Sequence, residues 1–414
     1  MTDDGGGVTS DVPLLPGFDH AVDHDILSRW PERWDELREQ SRVFRSDIAP
    51  WDLWFLLRYE DVAEAFGDPT RFSSRQTLYH VEDTHRWIPS GVDPPEHTFY
   101  RQVLNPLFGR GAIERMENDI RACMRGLVEP IGSAGRCDFM TEVALRYPTA
   151  VYMQTMGMPL GDLGVFLGWA ERLLHTSAAD DPDGSIRADA ARTVYRYTRS
   201  LVGQRREEPG DDVVSALLSV ELDGRSLTDN EIVEIGYLLF TAGMDTVAGT
   251  LGYMFAHLAR HDDLRSTIVE QPDQIPVAVD ELLRLYGIAS MARVVQHDTE
   301  IAGCPVRAGD RLVLVTSAAN RDPRRFELAD ECVPGRGQNR HLTFGAGIHR
   351  CLGAHLARTE IRIALEEWHR VIPDYRIADG ADLTSHVGGA AGYNHLPLEW
   401  PVPTPADEER PSTN

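Results

Sequence analysis

Phe344-Gly345-Ala346-Gly347-Ile348-His349-Arg350-Cys351-Leu352-Gly353 is the stretch of this 414-residue chain whose reading decides the fold. It is a glycine-rich turn that delivers one cysteine to a helix. Leu356, Ile361, Ala364, Leu365 and Trp368 recur at helical spacing, so a helix is predicted over 354–371, with Cys351 in its first turn. Free backbone N–H groups and the positive end of the helix dipole favour a thiolate there, and a thiolate binds a metal without a separate base. Gly345, Gly347 and Gly353 clear side chains from the space a flat ligand would occupy and permit turn conformations that a Cβ disfavours.

Three other readings compete. A dinucleotide site needs Gly-x-Gly-x-x-Gly after a strand, and here Arg350 stands at the sixth position. Zinc has His341, His349, Cys351 and His355 close in sequence but no Cys-x-x-Cys pair. A buried structural thiol is common, yet packing alone does not call for three glycines around it.

No linker divides the chain, so one large domain is expected over 14–401, with loose ends over 1–13 and 402–414, where Gly, Pro, Ser, Thr and acids concentrate. Hydrophobic residues at 42% supply ample core. No apolar run approaches the ~20 residues of a membrane helix and no signal peptide is visible, so a cytoplasmic protein is expected. The five scattered cysteines fit a reducing compartment. A net charge of −24 argues against nucleic acid, although residues 320–362 carry eight arginines against five acids. The chain has no lysine, which excludes Schiff-base and Walker-type phosphate chemistry.

In chain order, a helix is predicted over 26–40, a strand over 51–58 and a helix over 61–66. The irregular stretch 72–90, with Tyr79, His85 and Trp87, suits a ligand lid or an ordinary surface loop. Asp93-Pro94-Pro95-Glu96 reads as a helix start capped by Asp93, and on that helix His97 and Arg101 share a face suited to carboxylates. Helices broken near 132–135, 157–161 and 178–184 follow.

Thr228-Asp229-Asn230-Glu231 is a capping box opening a helix to about residue 260, long enough to cross the domain. Its middle, Ala242-Gly243-Met244-Asp245-Thr246, sets a glycine, an acid and a hydroxyl among apolar residues, each at a cost. Either the small residues make room for a ligand while Asp245 and Thr246 hold water and relay protons, or Thr246 simply bonds back to Ala242. Glu281 and Arg284 can pair at i, i+3 on a helix over 275–286; strands are expected at 291–295 and, as a pair, within 306–317.

The 344–353 stretch resembles the cysteine-ligand loop of the cytochrome P450 superfamily, the haem-thiolate monooxygenases, and the other motifs fall in that family's order from about 93 to 400. The resemblance implies a mainly α fold with a smaller β region, haem b with Cys351 as iron ligand, and Asp245-Thr246 as acid–alcohol pair. His97, Arg101, Arg293 and His349 would hold haem propionates, while Ala242, Gly243, Phe344, Gly345 and Gly353 would border the haem. It also implies a structural trio Glu281–Arg284–Arg336, and Cys332 departs from the aromatic usual at its position. Leu238, Thr241, Ala242, Ala289, Met291, Gly389 and Ala390 are expected to line the substrate pocket with Tyr79 and Trp87. The implied activity is insertion of one oxygen atom from O2, by hydroxylation or epoxidation, into a bulky apolar molecule such as a polyketide, terpenoid, steroid or other secondary metabolite. The chain carries no flavin or nicotinamide fingerprint, so electrons are expected from a ferredoxin and its reductase, to a monomer that binds neither membrane nor nucleic acid. A peroxygenase using hydrogen peroxide and a noncatalytic haem-fold partner are the alternatives.

Overall fold

Thr228 starts the element on which everything else is built. Its hydroxyl accepts from the Glu231 backbone N–H while the Glu231 carboxylate accepts from the Thr228 N–H at 2.8 Å, a complete capping box. The helix that follows, Asp229–Leu258, runs 30 residues. It is apolar on nearly every side, as a helix enclosed by others must be. By length and composition it could cross a membrane, against the expectation that no run is long enough, yet every residue from Val247 to Leu258 is buried in the protein core. Helices Arg146–Thr155, Ser185–Glu207 and Ala354–Val371 pack on it, and Arg110–Ile131 packs on the last of these. Phe139, Phe255 and Trp368 interlock there at ring distances of 4.1–5.2 Å.

The computed structural model describes residues 12–20, 23–48, 52–76, 85–176, 180–386 and 390–402. Helices dominate, as expected for a mainly α fold. The principal sheet is small and lies to one side, with strands in the order Val43–Ser46, Leu53–Leu56, Arg311–Val315, Ser290–Val295 and Phe72–Ser73. Arg293 stands opposite Leu312 in this sheet.

Several local expectations need correction. The helix predicted over 26–40 is two, His24–Ser28 and Glu32–Gln40, because Pro31 has no N–H to continue the first. Asp93 does not cap the next helix, which begins at Glu96. Its carboxylate instead accepts from the Ser73 hydroxyl and, at 3.0 Å, from the Ser74 N–H. Residues 72–73, expected to be irregular, pair with Ser290–Val295. The strands within 306–317 do not pair with each other: Cys304–Val306 joins Thr299–Ile301, whereas Arg311–Val315 joins the main sheet and is followed by a short helix, Thr316–Asn320. Pro13, assigned to the loose N-terminus, is seated, its carbonyl accepting from the Arg45 N–H at 3.0 Å.

The segment before the cysteine loop is irregular and is held by a buried charge cluster. Glu281 accepts from Arg284 (2.8 and 3.0 Å), Arg336 (3.1 Å), the Val333 N–H (2.9 Å) and Asn339 (3.2 Å). Arg284 donates onward to the carbonyls of Asn320, Ala329 and Glu331. Both members of the central pair are fully buried. Satisfying every donor in this way makes a buried charge tolerable.

Candidate active site

Cys351 lies three residues before the helix Ala354–Val371, rather than in its first turn. Its N–H donates to Phe344 O at 2.8 Å, which closes the loop. The loop needs glycine where the backbone is left-handed, at Gly345 and Gly347, with φ of 64° and 68°. At Gly347 a Cβ would also lie 2.6 Å from the Phe66 carbonyl, so this glycine answers to the neighbouring helix Tyr59–Gly67 as well as to any ligand.

The Cys351 thiol is exposed although protein surrounds it, the combination expected of a group facing an internal cavity. Burial pushes its pKa up, and the Gly353 N–H with the guanidinium groups of Arg101, Arg350 and Arg358 only partly offsets this. The free chain therefore carries a thiol, not the ready thiolate expected from a helix start. Coordination to a metal is what would drive off the proton.

A second wall comes from the central helix. Ala242 and Gly243 are exposed in the middle of a core element, and a Cβ on Gly243 would meet nothing within 4 Å. Phe240 and Met244, on either side, are buried in the same apolar cluster against which Leu352 packs. Thus the cysteine loop and the bare patch of the helix border common ground.

Two histidines and two arginines, His97, His349, Arg101 and Arg293, collect beside the cysteine loop, with the Asp93 carboxylate near only His97 and Arg293 among them. His97 and His349 stack at 4.1 Å, and both nitrogens of the buried His349 ring lack partners. Burial lowers His97 to about 4 and His349 to about 3, with Arg101 and Arg293 adding repulsion. The pKa of Arg293 falls to about 10 through burial; among the described residues it donates only to Ala292 O at 2.7 Å, and it lies over the Phe66 ring. Such a group is costly to bury alone. Orphaned donors beside a free thiol and a bare helix patch fit a flat, metal-centred ligand with anionic arms, which is the shape and charge of haem.

Thr246 Oγ1 donates to Ala242 O at 2.8 Å, so its lone pairs are left free to accept. Asp245 is engaged: His175 Nε2 lies 2.8 Å from its Oδ1, while His175 Nδ1 faces Glu171 at 3.1 Å. Burial opposes ionising Asp245, but His175 outweighs it and holds the carboxyl below its usual range; the two carboxylates raise His175 to about 10. Nothing in the sequence pointed to His175, which lies 70 residues from Asp245 in a π-helical turn, Glu171–His175.

Of the expected pocket residues, Leu238, Thr241, Ala289, Met291 and Ala390 are partly exposed. Ala289 bridges Ala390, bringing the end of the main sheet to the C-terminal turn. Trp87 stacks near Tyr237 on the central helix at 5.4 Å. Tyr79 and Gly389 lie outside the described residues. Two arginines offered by the local excess of positive charge are already spent: Arg358 pairs with Asp280 at 2.9 Å, and Arg362 with Glu117 and Glu366. Arg110 and Arg350 have no such partner among the described residues, and both act on His355.

The family model described as Cytochrome P450 matches residues 181–368. A probable cytochrome P450 127A1 of Sinorhizobium fredii is 34% identical over 84% of this chain and 83% of its own length. Mycinamicin IV hydroxylase/epoxidase of Micromonospora griseorubida is 31% identical over 83% of this chain and 88% of its own. Among solved structures, CYP101J2 superposes with a TM-score of 0.85 at 32% identity, covering 95% of this chain and 98% of that one.

Proposed function

Because this chain belongs to the cytochrome P450 family and is a haem-binding monooxygenase, we propose that it hydroxylates or epoxidises a bulky, mainly apolar small molecule with electrons from a ferredoxin and its reductase. The observations that carry the reading are the exposed Cys351 thiol, the exposed Ala242 and Gly243 on the central helix, and the Arg101, Arg293 and stacked His97–His349 side chains beside the cysteine loop. Haem bound there supplies the iron at which O2 is activated. Cys351 Sγ would bind that iron, and the guanidinium groups of Arg101 and Arg293, with the neutral His97 and His349 as hydrogen-bond donors, would hold the propionates. Phe344, Gly345 and Gly353 would border the haem.

Thr246 then acts as an acceptor. With its hydrogen committed to Ala242, it fixes a water by accepting from it, and the Asp245–His175 pair stands next to it as the route by which protons arrive from the surface. Water exclusion falls to the apolar wall of Leu238, Ala289, Met291 and Ala390. The small side chains among these leave room for a large substrate, and hydroxylation or epoxidation accords with the Micromonospora relative's name, mycinamicin IV hydroxylase/epoxidase. Arg110 and Arg350, with His355 between their fields, offer an acidic ferredoxin a positive landing area on a protein of net charge −24. We place the enzyme in the cytoplasm as a monomer.

The test is a spectral screen of apolar ligands against the purified holoprotein, followed by turnover with ferredoxin, reductase and isotopically labelled O2. One labelled oxygen atom in the product is expected. Product formed only with hydrogen peroxide would replace this reading with a peroxygenase. Cys351→Ala should abolish the red-shifted carbon-monoxide band of thiolate-bound haem, and persistence of that band would remove Cys351 as ligand.

A further inference from the structure

His175, Asp245 and His386 come from three separate elements, the π-helical turn Glu171–His175, the central helix and the strand Ser385–His386, and meet at one point. Their nearest ligand-capable atoms all lie within 4.8 Å of one another, the only such group of three among the described residues. The two imidazoles are 4.8 Å apart between centroids. Gly249 helps to bring them together. A Cβ there would lie 2.5 Å from Ala391 O, so its absence lets the C-terminal turn lie against the central helix next to the hairpin that carries His386.

Both rings are oriented alike. Asn394 donates through Nδ2 to the Thr384 hydroxyl, so its Oδ1 faces His386 Nδ1, at 2.9 Å. That contact places the ring proton on Nδ1 and leaves a lone pair on Nε2, which is buried and has no partner. His175 Nδ1 is likewise held by the Glu171 carboxylate, so that Nε2 again points to the shared centre. An oxygen acceptor on the far nitrogen of each imidazole is the arrangement that orients histidines as metal ligands. A hydrogen-bonded ion pair between His175 and Asp245 accounts for two of the three groups, but it leaves the buried Nε2 of His386 unexplained.

We propose that His175 Nε2, an Asp245 carboxylate oxygen and His386 Nε2 form a site for a zinc-class divalent cation, distinct from the haem iron. Two imidazoles, one carboxylate and a water make the four-coordinate set that zinc prefers. The 2.8 Å His175–Asp245 contact opens slightly to admit the ion, and the His175 proton between them leaves as it enters, so affinity rises with pH. The ion would tie the Glu171–His175 turn and the C-terminal hairpin to the central helix. It would also occupy the carboxylate that the preceding section assigns to proton delivery, so zinc should inhibit turnover; that consequence, unlike the site, rests on the proposed role of Asp245.

The experiment uses the haem-loaded protein with zinc chloride and a chromophoric chelator as competitor. One zinc ion per chain is expected, with His175→Gln and His386→Gln each weakening it at least tenfold while leaving the haem spectrum unchanged. X-ray absorption at the zinc edge should show two imidazoles, a signal iron does not obscure. Equal binding by the His386→Gln protein, or no stoichiometric binding by the parent, overturns the site. Zinc bound with two imidazoles but without inhibition upholds the site and removes Asp245 from proton delivery.

Discussion

Replacing Glu281 by alanine tests whether the buried charge cluster, far from the chemistry, holds the cysteine loop in place. The substitution strips Arg284 of the one carboxylate it pairs with among the described residues and takes the same acceptor from Arg336, Asn339 and the Val333 N–H. Breaking a buried pair from one side costs about 3–5 kcal/mol. The three carbonyls that still accept from Arg284 place the expected loss near the lower limit, about 3 kcal/mol. With an unfolding entropy of about 2.1 cal/mol/K per residue, a chain of this length should melt roughly 3–4 °C lower. Circular dichroism in a thermal ramp reads that shift, and the ratio of haem to protein absorbance after expression reads whether the loop still assembles. The carboxyl of Glu281 is held below its usual range, chiefly because Arg284 and Arg336 outweigh the effect of burial. Its contribution is therefore present above the unfolded value of about 4.3 and lost as pH falls through the lower folded value, so parent and variant should converge in acid. A loss below about 1 kcal/mol with full haem content would refute the reasoning.

Charge reversal at Arg110 or Arg350 should lower the ferredoxin-driven reduction rate and flatten its salt dependence without moving substrate-binding spectra, measured by stopped flow; reversal at the already paired Arg358 should matter less. Ala242→Phe, which fills the bare patch of the central helix, should weaken large ligands more than small ones in spectral titrations, and equal weakening would disprove the pocket map. Glu360, buried on the helix after Cys351 with Oε2 unpartnered, is pushed well above the usual carboxylate range by burial alone. Ionisation in the unfolded state then erodes stability as pH rises past about 4.3, so Glu360→Gln should stabilise by roughly 1–3 kcal/mol at pH 7 and by little at pH 4, in urea melts.

What the sequence determined by itself is local. The loop from Phe344 to Gly353, the capping box at Thr228 and the Glu281–Arg284 spacing each specify a backbone geometry within a few residues, so resemblance and propensity could find them and the family with them. The same local logic failed where a neighbour outbid it. Asp93 could have capped its own helix, but Ser73 and Ser74 claim its carboxylate. Cys351 sits where a thiolate would be favoured, and enclosure by the protein reverses the shift. The eight arginines of 320–362 count as an excess of positive charge, yet acids on other helices pair with Arg358 and Arg362. Only tertiary structure decided that His175 and His386 would converge on Asp245, because three elements far apart in the chain must pack before those side chains share a solvent-poor corner. Spacing encodes contacts made along one element; contacts made between elements depend on the summed burial of the whole core, which no short motif carries.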